Sequence, residues 1–359
     1  MSTPSERVFQ FTVQASGSPA WSQTTINQWT SLASTQLTAV MTDTEPFSTN
    51  KNFITSYSGA ALDETALHLY VIGGGHADSA NNGCYRLKLG QATPAWERVR
   101  GPTPQAQIQG AATAEQNAYK YYLDGRPTSR HTYYNLQVQP TLTRIFMYGG
   151  GAIWGNGGAL TPHTDTFNIT TSDYDSAGSW PDNPIAYNGP TLCVKDSAGD
   201  VWLAHPGTGQ VYKWSLATQT YALAGTANVY NTDTPACYDS LRDRIVRFPK
   251  GVQGQYWNRA GAFSVTSFSF SGGLTSASGH AVYEPTLDRY LYLSHGSNVL
   301  WSIHPTTWAA TQVSTTGTPW TPAGDGTSNY YGRFCYVPSL GGVIVVPNGN
   351  SNVYWMRTH

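Results

Sequence analysis

A chain of 359 residues with a formal net charge of −1 and only 11% charged residues gives no electrostatic reason to bind nucleic acid or an anionic membrane surface. No run of about 18 apolar residues occurs, which argues against a transmembrane helix, and the opening MSTPSERVFQF lacks the basic, apolar and small-residue order of a secretory signal. Aromatic residues make up 13%, with 23 Tyr and 12 Trp among abundant Gly, Ser, Thr and Asn, a composition suited to many short strands and turns.

In chain order, the first pattern is INQWTSL, around Trp29 within 21–40, which reads as an outer strand. A recurring unit then begins: a strand, a turn often holding Pro and Asp, an apolar strand, a Gly-rich loop and a strand ending in an aromatic. Its copies run SYSGAALDETALHLYVIGGGHADSANNGCYRLKL, RHTYYNLQVQPTLTRIFMYGGG, NGPTLCVKDSAGDVWLAHPGTGQVYKWSL, TPACYDSLRDRIVRFPKG, GHAVYEPTLDRYLYLSHGSNVLWSIHP and GRFCYVPSLGGVIVVPNGNSNVYWMRT. Repeats of roughly 40 to 60 residues with about four strands each predict a single β-propeller over 1–359. Six blades are expected, or seven if the N-terminal segment makes a small sheet of its own. Apolar runs such as ALHLYVI, RIFMYG and GVIVVP are short and flanked by Gly or Pro, and 3.6-residue periodicity is scarce, so the fold class is all-β.

The last copy lacks the outer strand that reads WERV at Trp96 to Val99 in the first. The strand around Trp29 is therefore expected to pair with the last blade and close the ring, removing open sheet edges. The stretch 101–127 interrupts the rhythm as a long loop insertion, and its tyrosines Tyr119, Tyr121 and Tyr122 suggest that it folds onto the face beside His131. Cys84, Cys193, Cys237 and Cys335 form no C-x-x-C pair, which disfavours a zinc site or a dense disulfide framework. Cys193, Cys237 and Cys335 fall on the inner strands of their repeats, as buried small hydrophobes.

The segments YVIGGGHADSANN, DGRPTSRHTYYN and YGRFCYVPSLGGVIVV resemble kelch-type propellers of the galactose-oxidase-like superfamily, over most of the chain. The resemblance implies kelch-like four-stranded blades. It leaves function open, because that scaffold carries oxidases, lyases, hydrolases and binding modules.

In such a blade the loop leading into the innermost strand and the loop joining the second and third strands open on one face, around the central channel. His76 in GGGHADS, His205 in LAHPG and His295 in LSHGS take the second-to-third position; His131 in SRHTYY and His280 in SGHAVY lead into inner strands. Arg130 and Arg333 are read at that same leading position, with Tyr133, Tyr330 and Tyr331 nearby. An arginine fork holds a carboxylate, and a histidine or tyrosine tuned by such neighbours moves a proton. A uronic-acid site would use Arg130 or Arg333 to neutralise the carboxylate, with His76 or His131 and a tyrosine, Tyr133, as base and acid. Arg333, Tyr331, His280, His295 and His205 would contact substrate, and Trp154 would offer an indole platform for a sugar. Asp78 and Asn81 read as turn residues, and His163 and Asp165 as strand-leading ones.

Three functions follow from this constellation. One is a polysaccharide lyase that cleaves uronic-acid glycans by β-elimination, similar to ulvan and oligogalacturonate lyases and needing no cofactor. Another is a non-catalytic carbohydrate-binding or phage adsorption module. The third is a metal-dependent, galactose-oxidase-like or divalent-metal enzyme with imidazoles from His76, His131, His205, His280 and His295 converging on one ion. The partner expected throughout is a polysaccharide or glycan. The expected setting is extracellular or virion-associated, with any signal already removed or export achieved by lysis.

Overall fold

A computed structural model describes residues 17–41, 53–54, 57–75, 79–108, 120–154, 156–185, 192–227, 234–248, 253–274, 279–294, 296–322 and 330–359, with backbone alone for 152 and 156–160. The chain begins with β1 (Gln28–Leu32) and passes into blade one, β2 (Ala60–Asp63), β3 (His68–Val71), β4 (Cys84–Lys88) and β5 (Ala95–Arg100). Blade two is β6 (Leu136–Gln139), β7 (Arg144–Ile153), β8 (Asn156–Asn168) and β9 (Asp173–Tyr174), and blade three is β10 (Cys193–Lys195), β11 (Val201–Ala204), β12 (Gln210–Trp214) and β13 (Tyr221–Thr226). Blade four is β14 (Ala236–Asp239), β15 (Arg244–Arg247), β16 (Gln253–Asn258) and β17 (Val265–Ser269). A two-residue β18 (Ser271–Gly272) precedes blade five, β19 (Gly279–Glu284), β20 (Arg289–Ser294), β21 (Leu300–Ile303) and β22 (Ala309–Gln312). A short β23 (Thr316–Gly317) precedes blade six, β24 (Phe334–Val337), β25 (Gly342–Val345) and β26 (Val353–Arg357).

Among the described residues these strands form six sheets, each an antiparallel meander of four strands in its main body, so the protein is a six-bladed β-propeller. The expected closure is present: β1 runs antiparallel to β26, with Thr30 opposite Trp355 and Leu32 opposite Val353, and supplies the outer strand of blade six. The N-terminal segment thus completes the sixth sheet, and the seven-blade alternative falls. Blades five and six each gain a two-residue parallel strand at the outer edge, β18 on β22 and β23 on β1.

Middle strands are buried on both faces because each blade packs between two others. Every residue of β11, β15 and β25 is buried, whereas β13 and β17 are largely exposed. Six hydrophobic clusters fill the six gaps between neighbouring blades. The seam is packed as the others are, Leu69, Val71 and Leu87 of blade one meeting Val337, Ile344 and Trp355 of blade six, with Leu32 from β1 and Leu37 just after it. No helix among the described residues is long and apolar enough to cross a membrane.

The turns from first to second strand define the lower face. Each carries one residue in the left-handed region: Leu67, Thr143, Gly199, Asp243, Asp288 and Gly341, with φ between 46° and 82°. Several are capped by an acid at the end of the inner strand. Asp63 Oδ1 accepts from Thr65 N and Ala66 N, both at 3.0 Å, and Asp196 Oδ1 accepts from Ala198 N at 2.9 Å and Asp200 N at 3.1 Å. The loops leading into inner strands and those joining second to third strands lie on the opposite, upper face, where the candidate residues were expected.

Candidate functional site on the upper face

Tyr57, just before β2, and Tyr133, just before β6, both hold positive φ, 54° and 44°. For a bulky side chain this conformation costs roughly 1 to 2 kcal/mol, and it persists only where the surroundings impose it. Here they do. Tyr133 N donates to Tyr57 O at 2.7 Å, Gly59 N donates to Thr132 Oγ1 at 2.8 Å, and Thr132 Oγ1 donates to Ile72 O at 2.9 Å. A Cβ at Gly59 would lie 1.9 Å from Tyr133 O, so only glycine admits this contact.

The two tyrosines frame His131. The Tyr57 ring lies over the imidazole with centroids 4.7 Å apart, and His131 Nδ1 stands 3.4 Å from Tyr133 Oη. Tyr331 joins from blade six, its ring 5.3 Å from Tyr133 and 5.2 Å from Tyr134. His280, in β19, follows at 5.8 Å from Tyr331. With Tyr57 of blade one, His131, Tyr133, Tyr331 and His280 are thus brought into one aromatic cluster across four blades. Its partly exposed rings are Tyr57, Tyr133 and Tyr134; His131, His280 and Tyr331 are buried.

Within this cluster His280 has a fixed tautomer. Its Nε2 accepts from Tyr330 N at 2.7 Å, which places the proton on Nδ1, 3.0 Å from Tyr134 Oη, while Tyr134 Oη donates to Gly279 O at 3.0 Å. A neutral imidazole with both nitrogens engaged ties blade five to blades two and six. The Tyr133 hydroxyl beside His131 Nδ1 belongs to a partly exposed ring.

The arginines point elsewhere. Arg130 is 1% exposed; its Nη2 donates to Asp165 Oδ2 at 2.5 Å, and Tyr121 Oη donates to Asp165 Oδ1 at 2.8 Å. Its Nη1 is buried without a hydrogen-bond partner. Arg333 is fully buried. Its Nε donates to Ser58 O at 3.0 Å and its Nη1 to Val346 O and Pro347 O at 2.9 and 2.8 Å, and burial pushes its pKa down to about 10. Backbone register also separates the two: Arg333 O accepts from Val346 N as Asn135 O accepts from Tyr148 N, so the blade-two counterpart of Arg333 is Asn135 rather than Arg130.

His205 lies in the loop between β11 and β12, away from the cluster. Its Nδ1 accepts from Gly207 N at 2.9 Å and Thr208 N at 3.2 Å, the same arrangement that His304 makes with Thr306 N and Thr307 N on the lower face. Trp154 is half-buried and packs on Ala80, Ile108 and Tyr122. His76 and His295 belong by sequence to the upper-face loops of blades one and five, but lie outside the described residues, as do Asp78 and Tyr119. The aromatic end of the long insertion does dock on this face: Tyr122 Oη donates to Ala80 O at 2.9 Å, beside Ser129 rather than His131 itself.

Tyr57 and Tyr134 were missed from the sequence. The signal was there in YSGAAL, RHTYYNLQV and YYGRFC, where tyrosine precedes the inner strands of blades one, two and six. No group of three or more His, Cys, Asp or Glu side chains is gathered for a metal among the described residues. The chain matches no known family model and no curated protein sequence.

Proposed function

We propose that the protein is a carbohydrate-binding propeller, of the kelch-like kind its sequence resembles, that takes a glycan on the upper-face cluster of Tyr57, His131 and Tyr133. The observation that carries this reading is the rigid, strained placement of two partly exposed tyrosines around one imidazole. Aromatic faces stack on sugar rings, and rings held in one conformation lose little entropy on binding. Both candidate arginines are buried, Arg130 on Asp165 and Arg333 on backbone carbonyls, which favours stacking over carboxylate capture. Such a module suits an extracellular or virion surface. Screening the purified protein on a glycan array tests it: at least one polysaccharide is expected to bind, and a blank array overturns the reading.

The second reading, a uronate-cleaving lyase, is favoured by the His131 Nδ1 to Tyr133 Oη contact, a ready acid and base pair. There Arg130 would meet the carboxylate once Asp165 gave way. Ultraviolet absorbance of unsaturated products across a panel of acidic polysaccharides decides it: turnover lost in Tyr133→Phe supports the lyase, and no product from any polymer removes it.

A further inference from the structure

The central channel offers a second site, on the face opposite the aromatic cluster. It is a cavity of about 520 Å³ lined by the inner strands of all six blades, a size common for small-ligand sites. Its lining includes Glu64, Thr65, Ser197, Ser240 and Pro338 from the lower turns, so it is reached from below. Two side chains of opposite charge face it from different blades, Glu64 from the first turn of blade one and Lys195 from the end of β10 in blade three.

Neither charge is satisfied by the other. Lys195 Nζ donates to Val138 O at 2.8 Å, one of its three possible bonds, and makes no ion pair among the described residues. Glu64 has neither a hydrogen bond nor an ion pair among the described residues, although its turn neighbour Asp63 is fully used in capping Thr65 and Ala66. Yet the two are within electrostatic reach. Burial raises the pKa of Glu64 and Lys195 opposes that rise; burial lowers the pKa of Lys195 and Glu64 opposes that fall. Opposite charges that face one cavity without pairing are each short of a counter-ion. One molecule that carries both charges supplies both.

We propose that the lower mouth of the channel binds a small zwitterion, an amino carboxylate whose ammonium meets Glu64 and whose carboxylate meets Lys195. The Ser197 and Ser240 hydroxyls line the same mouth. None of Tyr57, His131 and Tyr133 lines the channel; Tyr134 and His280 of the aromatic cluster form its upper end, and the proposed contacts Glu64 and Lys195 lie at its lower end.

Calorimetric titration of the full chain with glycine, 4-aminobutyrate and 6-aminohexanoate tests it, with butyrate and butylamine as single-charge controls. At least one zwitterion is expected to bind about tenfold or more tightly than either control, and Glu64→Gln and Lys195→Gln are each expected to weaken it about tenfold. The charge-exchanged E64K/K195E chain is expected to bind again, with the ligand reversed. Glu64 is exposed to solvent, so Glu64→Gln alone decides if changes at Lys195 disturb the inner strand. Absence of binding by all three zwitterions, equal binding of the controls, or binding indifferent to Glu64→Gln would overturn the proposal.

Discussion

On the lower face all six blades turn from first to second strand through one left-handed residue, from Leu67 in blade one to Gly341 in blade six, whereas on the upper face the connections range from the tight loop 205–209 to the stretch 101–135. The lower turns serve the repeat: they set the twist and register of each blade, and their acids cap backbone donors. The upper loops serve individual positions, and there positive φ falls on Tyr57 and Tyr133, held by the contact between blades one and two. Within one scaffold, regularity marks structure and local irregularity marks the candidate site.

The sharpest way to break this comparison is to remove the part of the repeat supplied from outside it. Deleting residues before Phe47 takes away β1 and bares the edge of β26, and cooperative thermal unfolding is expected to disappear. A truncated chain that melts like the intact one would show that closure is dispensable. Next in size is Asp239→Ala on the lower side. This fully buried carboxylate accepts from Arg244 Nε at 3.0 Å and Tyr290 Oη at 2.6 Å, and its removal strands a buried guanidinium. The expected loss is about 3 to 5 kcal/mol in urea unfolding, with glycan binding unaltered in the folded fraction.

Gly59→Ala does the reverse, striking the upper face through backbone. Its Cβ forces Tyr133 O away, at a cost of about 1 to 3 kcal/mol, and glycan affinity is expected to fall more than stability does. His205→Ala removes a loop cap on Gly207 and Thr208, worth about 1 kcal/mol, and is expected to spare binding. Smallest is the acid response of the surface pairs. Arg242 holds Asp288, and Arg259 holds Asp243, below the usual carboxylate pKa, and Lys88 with Arg86 does so for Glu97. The unfolded chain binds these protons more readily, so the contribution is present above about pH 4 and is lost on acidification below it. Pairs this exposed give a shallow slope, and a steep loss of stability above pH 5 would point to other groups.

The fold was legible because its signal repeats. Turns such as PTLT, PTLD and PSLG recur at the same point of different blades, and the missing outer strand after NVYWMRTH had one visible replacement in INQWTSL. The site was legible only in part. Histidine and tyrosine before inner strands could be found by position, and His131, Tyr133, Tyr331 and His280 do meet. The destination of a guanidinium could not, because Arg130 turns toward Asp165 from a different strand and Arg333 toward carbonyls of two blades, both set by packing distant in sequence. The pairing of Tyr57 with His131 across blades was likewise invisible to any count within one repeat.

The central claim, that the strained aromatic cluster is the ligand face, is tested most directly by comparing glycan-array binding of the wild type, Tyr57→Asn, Tyr133→Asn and Leu241→Ala. Asparagine tolerates positive φ, so the first two remove a ring while leaving the backbone conformation accessible, and Leu241 is an exposed side chain on the lower face. Loss of about tenfold or more for both tyrosine variants, with Leu241→Ala equal to wild type, is the predicted result. Full binding by Tyr57→Asn and Tyr133→Asn would contradict it.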